Sequence, residues 1–168
     1  MTTIADIYKA GEKLINGFII TEWRAQGHRL TGKMEDSLDS EVFKTKKAEV
    51  MEGVAIYYSY FVNNGFPARS ASFKQVPFLI EYFIRRGFPI ASTGGATTAK
   101  QMAFATISKW MKEGMPTIAS SRFSSVVRRK LAIENAFQDN NAKLDNYMST
   151  GFDFVIDEHY RKEKSEKI

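Results

Sequence analysis

Apolar positions recur at helical spacing over the first 27 residues. Between Thr3 and Gly27 they fall on one side of a predicted helix, at Ile4, Ile7, Tyr8, Leu14, Ile15, Phe18, Ile19 and Trp23. Thr3 can cap this helix, and Asp6 lies in its first turn, where a negative charge is favourable. Gly11 and Gly17 each weaken a helix by about 1 kcal/mol relative to Ala. We therefore expect the helix to depend on packing against a core or a neighbouring subunit.

The pattern changes towards strands after residue 40. Apolar and β-branched residues precede a polar stretch at 46–48 and follow it, at Val42, Phe43, Thr45, Val50, Val54 and Ile56. We predict two antiparallel strands joined near 46–48, with Gly53 as a candidate bulge. The segment 57–62 fits either an extension of the second strand or a short helix, and Asn63-Asn64-Gly65 is a stop signal.

Four more helices and one more strand are predicted downstream. The helices cover about 76–86, 97–113, 121–137 and 141–148, and Gly or Pro ends the first two. Phe152, Phe154 and Ile156 occupy alternate positions, which predicts a C-terminal strand. The predicted fold class is therefore α+β. A long N-terminal helix and a small antiparallel sheet, formed by the hairpin and the C-terminal strand, pack on several helices.

The length predicts one domain. A chain of 168 residues can bury a core without disulfides. We expect a single α+β domain over 1–160, with mobile loops near 66–76 and 88–96, where Gly, Pro, Ser and Thr interrupt any period. Residues 161–168 form a charged tail that we expect to fray.

The chain offers little recognisable catalytic chemistry. It has no cysteine, and its two histidines, His28 and His159, lack the spacing of a metal site and are expected at the surface. The Gly94-Gly95 loop lacks the Lys-Ser/Thr of a nucleotide-binding loop. We predict a protein without enzymatic activity, cofactor or metal. No apolar run approaches the roughly 20 residues of a membrane span, so no membrane partner is expected.

Basic residues provide the remaining candidate contacts. The net charge is +5, and a group at 122–130 would form a stripe on the predicted helix: Arg122, Arg128, Arg129 and Lys130. Such a stripe can neutralise phosphates, meet an acidic protein patch, or serve as an ordinary solvated face. Arg69 and Lys74, in the first predicted loop, are further candidate partner contacts.

The order of elements between residues 27 and 65 resembles a known arrangement. In small neck proteins of tailed bacteriophages, of the head–tail joining or tail-completion type, an N-terminal helix precedes a Thr-Gly-x-Leu-x-x-Ser-like turn, a β-hairpin and an aromatic stretch. Here the turn is Leu30-Thr31-Gly32-Lys33-Met34-Glu35-Asp36-Ser37-Leu38. The later element contains Tyr57, Tyr58, Tyr60 and Val62, followed by Asn64-Gly65.

The resemblance implies a structural virion protein. Such a chain would be a ring-forming neck or connector subunit that joins the portal to the tail, assembled in the host cytoplasm and located at the neck–tail junction of the virion. Its partners would be copies of itself, the portal or adjacent neck and tail proteins, and DNA passing through the channel. Two alternatives remain: a small nucleic-acid-binding module that uses the 122–130 stripe, and an enzyme with an unfamiliar site around His28 or Glu35-Asp36.

Overall fold

The protein combines five α-helices with one two-stranded sheet in the residues described by the computed structural model, 3–28, 32–46, 49–126 and 129–166. The elements are α1 (Ile4–Ala25), β1 (Asp39–Lys44), β2 (Glu49–Val54), α2 (Tyr58–Asn64), α3 (Val76–Arg85), α4 (Ala99–Glu113) and α5 (Ala132–Glu166). Two 3-10 helices cover Phe73–Gln75 and Ile118–Phe123. The predicted α+β class, with its long N-terminal helix and antiparallel hairpin, is confirmed.

Contacts divide the chain into two compact units. Unit 1 comprises the described residues of Met1–Ala25, Thr31–Ser59 and Leu131–Ile168. Unit 2 comprises those of Gln26–Leu30 and Tyr60–Lys130. Unit 1 holds α1, the hairpin and α5, and unit 2 holds α3 and α4.

The two long helices of unit 1, α1 and α5, pack along each other. At the start of α1 the backbone N–H of Thr3 donates to Asp6 Oδ2 at 2.8 Å, and the backbone N–H of Asp6 donates to Thr3 Oγ1 at 3.2 Å. This reciprocal cap satisfies donors that a helix start leaves free. The helices approach closely at Gly151, where an added Cβ would lie 3.0 Å from a side-chain carbon of the buried Ile7.

The predicted C-terminal strand is wrong, because residues 152–157 belong to α5. In a helix, residues three or four apart share a face. Gly151 and Phe152 contact α1, the latter through an edge-on ring contact of 5.8 Å with Tyr8, and Val155 is buried. Phe154 and Ile156 are exposed instead. The alternation of apolar residues at 152, 154 and 156 therefore does not indicate a strand. The helix predicted at 141–148 is part of α5, and the segment predicted to fray is helical as far as Glu166.

The helix predicted over 121–137 does not begin at 121; among the described residues of that range only 132–137 are α-helical, as the start of α5. Residues 118–123 form a 3-10 helix, and α5 begins only at Ala132. Leu131, just before it, adopts a positive φ of 55°, which a continuous helix cannot contain. Val127 and Arg128 lie outside the described residues.

The helix pair α3–α4 forms the core of unit 2, and both helices were predicted. Buried residues from them and from the preceding segment meet in one cluster: Ala71, Val76, Leu79, Ala103 and Ile107. Thr98 caps α4 through its hydroxyl, which accepts from the backbone N–H of Gln101 at 3.2 Å.

Backbone pairing at the end of α4 orders the segment that follows α2. Phe66 and Met115 form an antiparallel bridge with mutual bonds of 3.0 and 2.8 Å. Gly114 has a φ of 80°, and an added Cβ there would collide with the carbonyl oxygen of Phe66. The bridge therefore requires glycine at 114.

The hairpin of unit 1 follows the predicted turn. Asp36 N–H donates to the Gly32 carbonyl at 2.8 Å within this turn, and Leu30 and Thr31 lie outside the described residues. The strands pair from Asp39–Val54 to Lys44–Glu49 in unbroken register, so the predicted bulge at Gly53 is wrong. The link predicted near 46–48 matches the gap between the strands, although Lys47 and Ala48 lie outside the described residues. Residues 58–64 are helical, which decides the open alternative for 57–62 in favour of a short helix.

Candidate interaction surfaces

One face of the hairpin is solvent-exposed along its whole length. In an antiparallel pair, directly opposed residues point to the same face. The register places six residues together, here named the acidic hairpin face: Asp39, Glu41, Phe43, Val50, Glu52 and Val54. All six are exposed, including Phe43 at 42% and Val54 at 48%. The other face is also largely exposed, with Val42 at 46% opposite the partly exposed Met51.

A hairpin with an uncovered face of this kind gains little stability from packing. A two-stranded sheet without a covering layer is only marginally stable in water. Clustered apolar side chains at a surface are typical of an interaction site. In addition, Glu41 lies directly opposite Glu52, and like charges in that arrangement destabilise the pairing. The acidic hairpin face is therefore a candidate interaction surface.

Polar contacts position the base of the hairpin against α1. Arg24 of α1 donates two hydrogen bonds to the Glu35 carboxylate, at 3.1 and 2.6 Å. The bond with Glu35 raises the pKa of the Arg24 guanidinium. The backbone N–H of Ile56 donates to Ser37 Oγ at 3.2 Å. The turn is thereby fixed on α1 and on the end of β2, while the hairpin beyond it extends into solvent.

Aromatic side chains follow the hairpin, at Tyr57 just before α2 and at Tyr58 and Tyr60 within it. Tyr57, Tyr58 and Tyr60 are all more than half exposed, and Tyr57 reaches 79%. Val62, Asn63 and Ser59 are buried on the same short helix. The aromatic stretch of the sequence is therefore a largely solvent-facing row and not part of the core.

Unit 2 carries a second exposed surface that combines aromatic rings with lysines. Phe73, on the 3-10 helix before α3, lies against Phe104 of α4 with a centroid distance of 6.0 Å, and both rings remain exposed. Lys74 follows Phe73, and Lys100 precedes Phe104 by one helical turn. We name these four residues the aromatic–basic patch. In the described part of the chain, neither lysine forms an ion pair.

The predicted basic residues do not form a helical stripe. Arg122 is exposed on a 3-10 helix, Lys130 is exposed beyond it, and Arg128 lies outside the described residues. Arg129 is partly buried, and its Nη1 donates to the Ser120 carbonyl at 2.5 Å. Burial lowers the pKa of the Arg129 guanidinium. The helix that was expected to align these cations is absent from the described residues.

The two remaining predicted contacts, Arg69 and Lys74, lie on the segment between α2 and α3. Arg69 is exposed in a tight turn with a φ of 68°, and its backbone N–H donates to the Met111 carbonyl at 3.0 Å. Lys74 belongs to the aromatic–basic patch. Sequence reasoning missed Lys100 and Phe104, although their spacing of four already placed both on one side of a predicted helix. It also missed the acidic hairpin face, which becomes visible only once the strand register is known.

His28 is partly buried, contrary to the surface position expected for it. Its Nε2 lies 3.2 Å from Gln26 Oε1, and Gln26 Nε2 donates to the Lys130 carbonyl at 3.3 Å. Burial and, secondarily, the nearby Arg129 lower the pKa of His28 to about 4. The ring is therefore neutral at physiological pH, and its contacts are structural.

Clusters of metal-ligating side chains are absent from the part of the chain that the structure describes. Within the same ranges, no helix is long and apolar enough to cross a membrane. Comparison with protein families, with curated proteins and with solved structures finds no match for the chain.

Proposed function

We propose that this protein is a structural subunit of a tailed-phage virion, a ring-forming neck or connector protein that joins the portal to the tail. The observation that supports this most directly is the acidic hairpin face, where three apolar and three acidic side chains lie exposed. A protein that acts by assembly needs such a surface, and neighbouring subunits in a ring would cover it. The order of turn, hairpin and exposed tyrosines supports the same function by resemblance.

The distribution of other exposed apolar residues is consistent with assembly. Phe78 on α3, Ile90 and Ile118 in unit 2, and Ile156 and Tyr160 on α5 are each more than 60% exposed. Single exposed apolar residues are common on monomers, but clusters indicate interaction sites. A subunit that contacts two neighbours, the portal and the tail needs several such surfaces.

The mass of the full-length chain in solution tests this proposal. We expect a discrete closed oligomer in analytical ultracentrifugation, formed either by the chain alone or after addition of the portal protein of the same phage. A chain that stays monomeric at every concentration and does not bind the portal would overturn the proposal. Binding to duplex DNA with a steep loss at high salt, without any oligomer, would support the nucleic-acid alternative instead.

A further inference from the structure

The acidic hairpin face is unfavourable in isolation for two reasons that a single partner could remove. Glu41 and Glu52 repel each other across the strands, and the neighbouring pair of Phe43 and Val50 leaves apolar surface in water. A surface that offers cations beside exposed aromatic rings would neutralise the first pair and cover the second. We therefore expect the surface that binds the acidic hairpin face to carry basic and aromatic side chains.

The chain itself carries a surface with this chemistry. The aromatic–basic patch combines Lys74 and Lys100 with the exposed rings of Phe73 and Phe104. Complementary charge favours correct partners over wrong ones and accelerates association. The acidic hairpin face and the aromatic–basic patch therefore complement each other in charge and in apolar content.

The spacing of charge and ring also agrees between the two surfaces. The Glu41–Glu52 pair lies two residues from the Phe43–Val50 pair along the strands, a separation of about 7 Å. On α4, Lys100 lies four residues from Phe104, which corresponds to about 6 Å along the axis. A lysine can meet the carboxylates while the ring of Phe104 covers the apolar pair.

We propose that the acidic hairpin face of one copy docks on the aromatic–basic patch of a second copy. This rests on the proposed function and adds the residues that join neighbouring subunits. Because the two surfaces differ, the contact is heterologous, and repetition generates a ring when the rotation closes. Every subunit then uses its hairpin towards one neighbour and its patch towards the other.

Charge reversal tests the contact through two full-length variants. One carries Glu41→Lys and Glu52→Lys, which keeps two like charges opposed across the strands and so leaves the hairpin's own stability matched. The other carries Lys74→Glu and Lys100→Glu. Each variant alone should show at least a tenfold loss of self-association in analytical ultracentrifugation, because like charges would meet at the contact.

Mixing the two variants provides the decisive test. In a 1:1 mixture, basic hairpins meet acidic patches and acidic hairpins meet basic patches, so the two chains should associate with each other. A single chain with all four substitutions should regain the assembly of the unmodified protein. The matched controls reverse equal charge at exposed positions away from Ile156 and Tyr160, with Asp139→Lys and Asp145→Lys on α5 in one chain and Lys9→Glu and Lys13→Glu on α1 in another. Both controls should assemble normally.

The outcomes separate this contact from the proposed function. If all variants assemble as the unmodified chain does, or if the mixture and the four-substitution chain stay dissociated, the proposed contact is wrong while the ring proposal stands. If the unmodified chain forms no oligomer, alone or with the portal, both fail. Circular dichroism spectra that match the unmodified chain exclude misfolding as the cause of a lost association.

Discussion

Burial distinguishes the two histidines of this chain at the scale of single residues. His28 is partly buried beside Arg129, and its pKa is lowered to about 4 from an ordinary value of 6.5. His159 is exposed on α5. A buried neutral histidine must gain a proton when the chain unfolds below pH 6.5, so protonation favours the unfolded state. Stability contributed by neutral His28 is complete above pH 6.5 and is lost as pH falls towards 4.

We therefore predict that His28→Gln flattens the stability profile between pH 6.5 and 4. The full pKa difference corresponds to about 3 kcal/mol, and because the ring is partly exposed we expect about half of it. Urea unfolding at pH 7 and pH 4.5 measures the effect. The matched control, His159→Gln, should keep the pH dependence of the unmodified chain. An unchanged profile for His28→Gln would show that His28 titrates normally.

Tertiary contacts, which a sequence pattern does not reveal, decide the environments of single residues. His28 and Arg129 are far apart in the sequence but adjacent in the fold, where the charge of Arg129 contributes to lowering the pKa of His28. Arg129 was predicted to be an exposed cation on a helix, but it is partly buried and its guanidinium donates to the Ser120 carbonyl. Arg122 and Lys74, in contrast, are exposed, and their role as partner contacts stays a prediction.

Close contact between helices governs unit 1 at the scale of elements. Along α1 and α5, glycines stand in two environments: Gly151 faces the buried Ile7, whereas Gly17 has no atom near the position of an added Cβ. The same substitution chemistry should therefore act in opposite directions. Contact opposes a side chain at 151, while helix propensity favours one at 17.

We predict that Gly151→Val destabilises unit 1 by about 1–3 kcal/mol, because a branched side chain must displace Ile7 or push the helices apart. Gly17→Val is the matched counterpart and should not destabilise unit 1, because the site has room for a side chain and Val has a slightly higher helix propensity than Gly. Midpoints of urea unfolding followed by helical circular dichroism measure both. Equal shifts of the same sign would contradict the close packing of α1 on α5.

Elements with strong local signals could be predicted from the sequence, and those decided by packing could not. Thr3 and Asp6 mark a helix start that the structure reproduces. Alternating Phe152, Phe154 and Ile156 suggested a strand, because a short apolar run fits both periods. Only contact of Gly151 and Phe152 with α1 selects the helix. The break at Leu131 has no glycine or proline to reveal it.

Clusters of exposed apolar and charged side chains are the principal feature of the whole molecule. The hairpin lies exposed on its acidic face, the tyrosines of α2 face solvent, and unit 2 presents aromatic rings beside lysines. The fold class could be derived from the sequence because it depends on local periodicity. The interaction surfaces could not, since they depend on strand register and on which apolar residues the core leaves uncovered.

The solvent accessibility of the acidic hairpin face, before and after assembly, tests the central claim most directly. The chain has no cysteine, so Val50→Cys introduces one thiol on this face and Ser165→Cys introduces one at an exposed position of α5 as the control. Alkylation at position 50 should slow at least tenfold when the protein assembles, alone or on the portal, while alkylation at 165 stays unchanged. Equal rates at position 50 in the free and assembled protein would contradict the account.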